Sequence, residues 1–425
     1  MFALRESQTS VRTELLAGLT TYLTMAYISV VNPGIMAAAG IDHDAAFVAT
    51  CVAAAIGSAA MGLFANLPIA LAPGMGLNAY FTFTVVKGMG VPWQTALGGV
   101  FLSGVLFLIV SLLRIREWLI DGIPMSLKLG IGAGIGLFLG LIGLHEMGLV
   151  VGNPETLVSL GHLTTPKTLL SCGGFLIIAG LAARGITGAI LIGIVITALL
   201  GIPLGQTALH GVIAAPPSIS PSFLKLDIAG ALSLGVPVVV LTFFLVDLLD
   251  NAGTLIATTH RAGLMRPDGT VPRLREALLA DSAGAILGAL LGTSTTTSYI
   301  ESAAGIQVGG RTGLTALTVA ALFLVTLFFA PLATAIPSFA SAPALVFVAC
   351  LMASALRDIA WDDATDAVPA VITAIAMPLT FSIATGIGLG FIVFVVVKLL
   401  AGRVREIAGA AWVIAALSAW RFAVA

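Results

Sequence analysis

Charge is scarce in this 425-residue chain: 9% of residues are Asp, Glu, Lys or Arg, while 59% are hydrophobic and the mean hydropathy is +1.10. Soluble domains carry about 25% charged residues, so that class is excluded, and with it a soluble nucleic-acid binder. Cysteine is nearly absent too. Cys51, Cys172 and Cys350 lie far apart in apolar stretches, a pattern that excludes a disulfide framework and metal-ligand spacing and leaves structural packing as their role. The first apolar run, Leu15 to Met36, lacks the short length and acid-free flank of a signal peptide, since Glu6 and Glu14 precede it. It reads as a first membrane span.

A span needs about 20 apolar residues, and about fourteen fit the chain. They are expected near residues 15–36, 45–65, 67–87, 95–113, 127–146, 168–183, 186–203, 229–258, 276–291, 293–310, 312–331, 343–356, 366–380 and 382–401. The net charge of -1 says little about partners; the distribution of Lys and Arg between the membrane faces says more. With a cytoplasmic amino terminus, all of the 19 Lys and Arg except Lys87, Lys167 and Lys225 fall inside. That bias fits the positive-inside rule with both termini in the cytoplasm. An odd number of spans in each half makes the halves inverted repeats.

No basic residue stands beside the most conspicuous acids. Asp247 and Asp250 lie in the apolar run Val236–Asn251, which contains no Lys or Arg. A carboxylate at bilayer depth is disfavoured by about 3 kcal/mol on insertion scales and usually faces a protein-lined cavity on an ion or substrate path. On a helix, Asp247, Asp250, Asn251, Thr254 and Thr258 share one face. A buried polar cluster that only joins helices is the plainer reading, but two acids without a cation are more than joining requires.

Two other spans lack a normal helix start. Leu71–Tyr80 (LAPGMGLNAY) opens with Pro73 flanked by Gly74 and Gly76, and Gly292–Gly305 (GTSTTTSYIESAAG) opens with a threonine run. Proline removes a donor and β-branched residues favour extended backbone. Extended backbone at membrane depth must be satisfied within the protein, so the two segments are expected to pair as short antiparallel strands. Half-helices would then begin near Asn78 and Glu301, with their dipole-positive ends toward a central site. The plainer alternative is a kinked span with back-bonded threonines.

Together, Ala72–Tyr80 (APGMGLNAY), Asp247–Thr254 (DLLDNAGT), Ala280–Ser282 (ADS) and the Gly292–Gly305 segment resemble the AzgA-like purine permeases of the nucleobase:cation symporter-2 family. The likeness runs from Arg12 to Arg403. It implies proton-coupled uptake of hypoxanthine, adenine or guanine on an all-α membrane fold of 7+7 inverted repeats, with spans three and ten broken. It also implies a core domain (12–126 and 229–331), a gate domain (127–228 and 332–405) and a C-terminal tail (406–425) outside the likeness. By position, Asp247 and Glu301 match acids that hydrogen-bond the base, and Asn78 and Asp250 match residues that shape the site. Ser298, Thr297, Gly76 and Tyr80 complete the expected set. Asn251 stands where the family commonly has another polar residue. Trp412, Trp420 and Arg421 belong to the tail, read as interfacial or lipid-facing.

The residue types suit a purine, a flat neutral base with N–H donors and ring acceptors at its edges. Carboxylates accept from it, and a protonated carboxyl or an Asn amide donates. Burial favours the neutral form of a carboxyl, which fits Glu301 or Asp247 as carrier of the coupled proton. Tyr80, Phe81 and Phe83 offer stacking faces, or simply packing. Expected partners are a purine nucleobase, a proton, the bilayer of the inner membrane and a second copy of the chain in a homodimer; no nucleic acid, cofactor or metal is expected.

Several motifs carry less. The glycines from Gly130 to Gly136 sit within a span and suit close helix packing rather than a dinucleotide loop. The basic loop from Thr259 to Arg275 serves topology and contact with anionic lipid, and Asp358, Asp362, Asp363 and Asp366 read as a solvated acidic cluster. Uracil or xanthine is the alternative cargo. An anion transporter could share the architecture, but acids at the site would repel its substrate. A membrane aspartyl protease would place its carboxylates on different spans, and a channel is the remaining class.

Overall fold

Apolar sequence in a bilayer has one way to satisfy its backbone locally, the helix, and the computed structural model, which describes residues 2, 4–112, 123–208, 211–233, 236–261 and 273–424, is almost wholly helical. Helices α1 (Val11–Met25) and α2 (Ile28–Ala38) form the first apolar segment, followed by α3 (His43–Ala60). Strand β1 (Leu71–Pro73), α4 (Met75–Ala79) and a π-helical stretch Tyr80–Gly88 make the broken third segment. Then come α5 (Trp93–Leu112), α6 (Met125–Glu146), a hairpin of β2 (Val150–Asn153) and β3 (Leu157–Leu160), α7 (Pro166–Ala183) and α8 (Ala189–Gly201). The second half holds α9 (Val236–Arg261), α10 (Leu274–Leu291), β4 (Thr296–Ser298), α11 (Ser302–Val308) and α12 (Gly313–Thr326). It ends with α13 (Ser338–Ala353), α14 (Ala364–Thr380), α15 (Ile383–Leu400) and α16 (Gly409–Val424). Among the described residues, eight segments are long and apolar enough to cross a membrane, and shorter apolar helices add to them. Polar N-caps set several helix starts: Ser10, Asp42, Thr165, Asp363 and Ser382 each accept from a backbone N–H of the first turn.

The described chain groups into two compact units, Met1–Leu112 with Glu146–Ala344, and Leu113–His145 with Leu345–Ala425. In the first, β1 and β4 pair antiparallel, with Leu71 opposite Ser298, Ala72 opposite Thr297 and Pro73 opposite Thr296. The helix-hostile residues thus do what their backbone preferences require. Close approach elsewhere depends on small residues, as at Gly313 of α12, where an added Cβ would overlap the Gly62 backbone.

In the second unit, Gly130 and Gly134 of α6 lie against Ala370, Thr373, Ala374 and Met377 of α14, and Gly136 lies against Met352 of α13. The glycine run is a packing surface. Residues beyond 406 are more than a loose tail: α16 packs along α15, burying Ala410, Ala411, Ile414 and Ala415 and seating Ser418 and Phe422 close to Gly388. Trp412 and Trp420 stay largely exposed.

The acidic cluster is also more organised than solvation alone requires. Arg403 donates to Asp363 and to Glu406 at 2.6 Å each, and Lys398 Nζ lies 2.8 Å from Glu406 and 3.3 Å from Asp366. Hydrogen bonds from the Thr365 hydroxyl and Arg403 hold the Asp363 carboxyl well below the usual carboxylate range, and bonds from Arg403 and Lys398 lower Glu406. A carboxyl whose folded pKa is depressed stabilises fully above its unfolded value, and that contribution fades as pH falls toward the folded value. The contribution of these ion pairs to stability should therefore stay level from neutral pH to about pH 4, the unfolded carboxylate value, and decline below it. In Arg403→Gln the acid-side decline should shrink, which thermal unfolding in detergent from pH 3 to pH 7 would measure.

Candidate functional site

The β1–β4 pair replaces two stretches of helix, so its backbone groups need partners drawn from the surrounding helices. Gly74 N–H donates to Thr295 O at 2.9 Å and Tyr299 N–H to Ala70 O at 3.0 Å. The Ser58 hydroxyl of α3 accepts from Leu71 N–H at 2.9 Å, and the Ser302 hydroxyl accepts from Ala70 N–H at 3.0 Å. Tyr299 closes the arrangement by donating to Pro73 O at 2.6 Å. Gly74 is required by the close approach: a Cβ there would sit 2.9 Å from Thr297 Oγ1. The half-helices leave from this crossing, α4 immediately after Gly74 and α11 immediately after Glu301.

Helix α9 packs against β4, α4 and α11 and presents its polar face to them. Asp247, Asn251, Thr254 and Thr258 are all buried, as the helical spacing predicts. Asn251 joins the helix to the strand. Its Nδ2 donates to Asp247 Oδ1 at 2.8 Å and its Oδ1 accepts from Ser298 N–H at 2.8 Å. The Ser298 hydroxyl in turn donates to Asp281 of α10, 2.9 Å from Oδ1 and 3.2 Å from Oδ2. An acid on α9 and an acid on α10 are thus connected through the end of β4.

Glu301 stands at the N-cap of α11, half-buried, and accepts from the Tyr27 hydroxyl at 2.7 Å. Asn78 lies within α4, three residues after its first residue Met75, and is fully buried. Among the described residues its amide has no hydrogen-bond partner at either end. A buried amide left unpaired costs about 1–3 kcal/mol, a cost the fold bears at Asn78. Thr297 pairs with Ala72 and packs on Gly74; Gly76 is half-buried in α4. Tyr80 and Phe81 are buried, and Tyr80 meets the edge of Phe243 at 5.0 Å between centroids. Asp250 lies outside the residues whose side chains are described.

Three contributors were not among the expected site residues. Asn251 was visible as part of the α9 stripe, and Asp281 as an acid in an apolar run. Tyr27 carries only a compositional signal: the chain has 4 tyrosines, and Tyr22, Tyr27 and Tyr299 all make hydrogen bonds to residues remote in sequence within this unit.

Helices interrupted at a strand crossing with buried acids around it are the architecture of a membrane transport protein. The fold is shared with the transmembrane domain of a cyanobacterial bicarbonate transporter, BicA, at a TM-score of 0.69 and 17% identity, covering 88% of this chain and 96% of that one. Residues 12–389 match the Permease family, and the chain belongs to it. It is 50% identical to the adenine permease AdeP of Escherichia coli K12, across 98% of this chain and 94% of AdeP. It is 45% identical to the guanine/hypoxanthine permease PbuO of Bacillus subtilis 168, across 96% of each.

Proposed function

We propose that this permease imports purine nucleobases, namely hypoxanthine, adenine or guanine, by proton symport through alternating access. The observation that carries the reading is the ring of polar groups at the β1–β4 crossing. Asp247 and Glu301 supply acceptors for the N–H edge of a base, and the Asn78 amide supplies both a donor and an acceptor. Ser298, Thr297, Gly76, Tyr80 and Asp250 complete the binding set, Ser298 by fixing the strand end through Asn251 and Asp281. The purines carried by AdeP and PbuO support the same cargo. Glu301 or Asp247 takes the coupled proton, each being an acid at span depth, where such groups mark ion and substrate paths. Both termini face the cytoplasm of an inner-membrane protein with 7+7 inverted spans in core and gate domains, an orientation supported by the Lys and Arg bias. A homodimer is part of the same reading.

The test is uptake of labelled hypoxanthine into proteoliposomes, with and without an imposed pH gradient and with adenine, guanine, xanthine, uracil and sulfate as competitors. Competition by the three purines and stimulation by an inward proton gradient are expected. The BicA-like architecture makes an anion the second reading, and competition by sulfate alone would establish it instead.

A further inference from the structure

Among the described residues, Glu14 is the most deeply buried acid that the site does not use. It sits in the first turn of α1 with no solvent exposure, and its carboxylate is satisfied by the start of α12. Oε1 accepts from Arg311 N–H at 2.9 Å; Oε2 accepts from Thr312 N–H at 3.3 Å, Thr315 N–H at 3.2 Å and the Thr315 hydroxyl at 2.6 Å. A carboxylate from one helix thereby caps another, where unpaired N–H groups and the positive end of the dipole both favour an anion.

The capped segment is also the exit of the half-helix that carries Glu301. Helix α11 ends at Val308, and the four residues to Thr312 turn the chain into α12. Within that turn, Arg311 Nη1 donates to Ile306 O at 2.6 Å and to Gly310 O at 2.7 Å, covering one carbonyl in the last turn of α11 and one in the turn beyond it. Glu14 holds the Arg311 backbone from which that guanidinium extends. The same first segment grips the other end of α11: Thr24 donates to Glu301 O at 3.4 Å and Tyr27 to Glu301 Oε1 at 2.7 Å. Between these points Gly305 lies directly on Ala17 and Thr21, with no room for a Cβ.

We infer that Glu14 is a positioning residue for Glu301: by pinning the Gly309–Thr312 turn to α1 it fixes how far α11 can slide along α1, and so where its terminal carboxylate meets the substrate. This rests on the assignment of Glu301 to the purine site. The fixing needs an acceptor on both carboxylate oxygens. Gln at position 14 keeps one acceptor and turns an NH2 group toward backbone N–H donors.

Two readouts on the full-length protein in proteoliposomes test it. For Glu14→Gln, the KM for labelled adenine should rise about tenfold, the loss of about one charge-assisted hydrogen bond, with Vmax per transporter within about twofold of wild type. Thr315→Val, which removes only the hydroxyl donor, should raise KM about threefold and covers the case in which Glu14→Gln does not fold. A fall in Vmax in step with protein abundance, at unchanged KM in both variants, would overturn the inference and leave Glu14 a structural cap. The second readout needs no substrate: in a background with Cys172 and Cys350 replaced by Ser and the buried Cys51 kept, Gln307→Cys at an exposed position of α11 should react faster with maleimide when combined with Glu14→Gln. An unchanged labelling rate counts against the pin. If wild type neither binds nor moves a purine while labelling still responds to Glu14, the cargo assignment fails and the mechanical link stands.

Discussion

Asp247→Asn is expected to lower the kcat/KM for purine uptake at least about a hundredfold, with the protein still inserted and folded. The side chain keeps its shape, but the acceptor of the Asn251 amide at 2.8 Å becomes neutral, and in the proposed binding an N–H edge of the base loses a charged acceptor. Hydrogen bonds to charged groups are each worth about 1.5–3 kcal/mol, and every 1.4 kcal/mol is about tenfold, so two such losses reach the stated size. Asn251 also accepts from Ser298 N–H, so any rotation it makes to suit the new Asn disturbs β4. Initial-rate uptake in proteoliposomes, normalised to reconstituted protein, checks this. A loss under about fivefold would remove Asp247 from the binding set.

The second large effect is qualitative. Glu301→Gln should abolish accumulation of purine against its gradient while leaving exchange of labelled for unlabelled purine measurable. The Tyr27 hydroxyl, 2.7 Å from the present carboxylate, can donate to a Gln carbonyl just as well, so the local geometry survives. The titratable proton does not. Uptake by this variant that still rises when an inward proton gradient is imposed would rule out Glu301 as sole proton carrier and pass that role to Asp247. Counterflow and gradient-driven uptake, measured on the same vesicles, separate the two results.

Much of this arrangement can be read from the chain because each feature obeys a local rule. The α9 stripe follows from helical spacing, and Asp247, Asn251, Thr254 and Thr258 are all buried on it. The strand pairing follows from proline, glycine and threonine placed where a helix should start, and the register joins Ala72 to Thr297. What stayed hidden depends on partners remote in sequence. Tyr27 reaches Glu301 across 274 positions, and within an apolar run a tyrosine looks like packing. Glu14 looks like the acidic edge of a first span because three of its four donors are backbone N–H groups, which leave no mark in side-chain identity. The order in residues 409–424 was equally quiet, since the small residues that seat α16 on α15 are also what a lipid-facing tail contains.

The strand crossing has a consequence for how the chain is made. Tyr299 closes onto Pro73 from 226 residues further along, so a ribosome delivers the first strand to the membrane long before its partner exists. Through that interval Leu71 and Ala72 have backbone groups that hydrocarbon cannot satisfy, and only Ser58, already synthesised, is at hand to receive Leu71. The third segment must therefore wait beside the insertion machinery or in water, and arrival of the segment that carries β4 becomes the step that commits the molecule to its membrane. In truncated chains ending before residue 296 an Ala72→Cys variant should react with a water-soluble maleimide, and in the full-length chain, where Ala72 is buried, it should not.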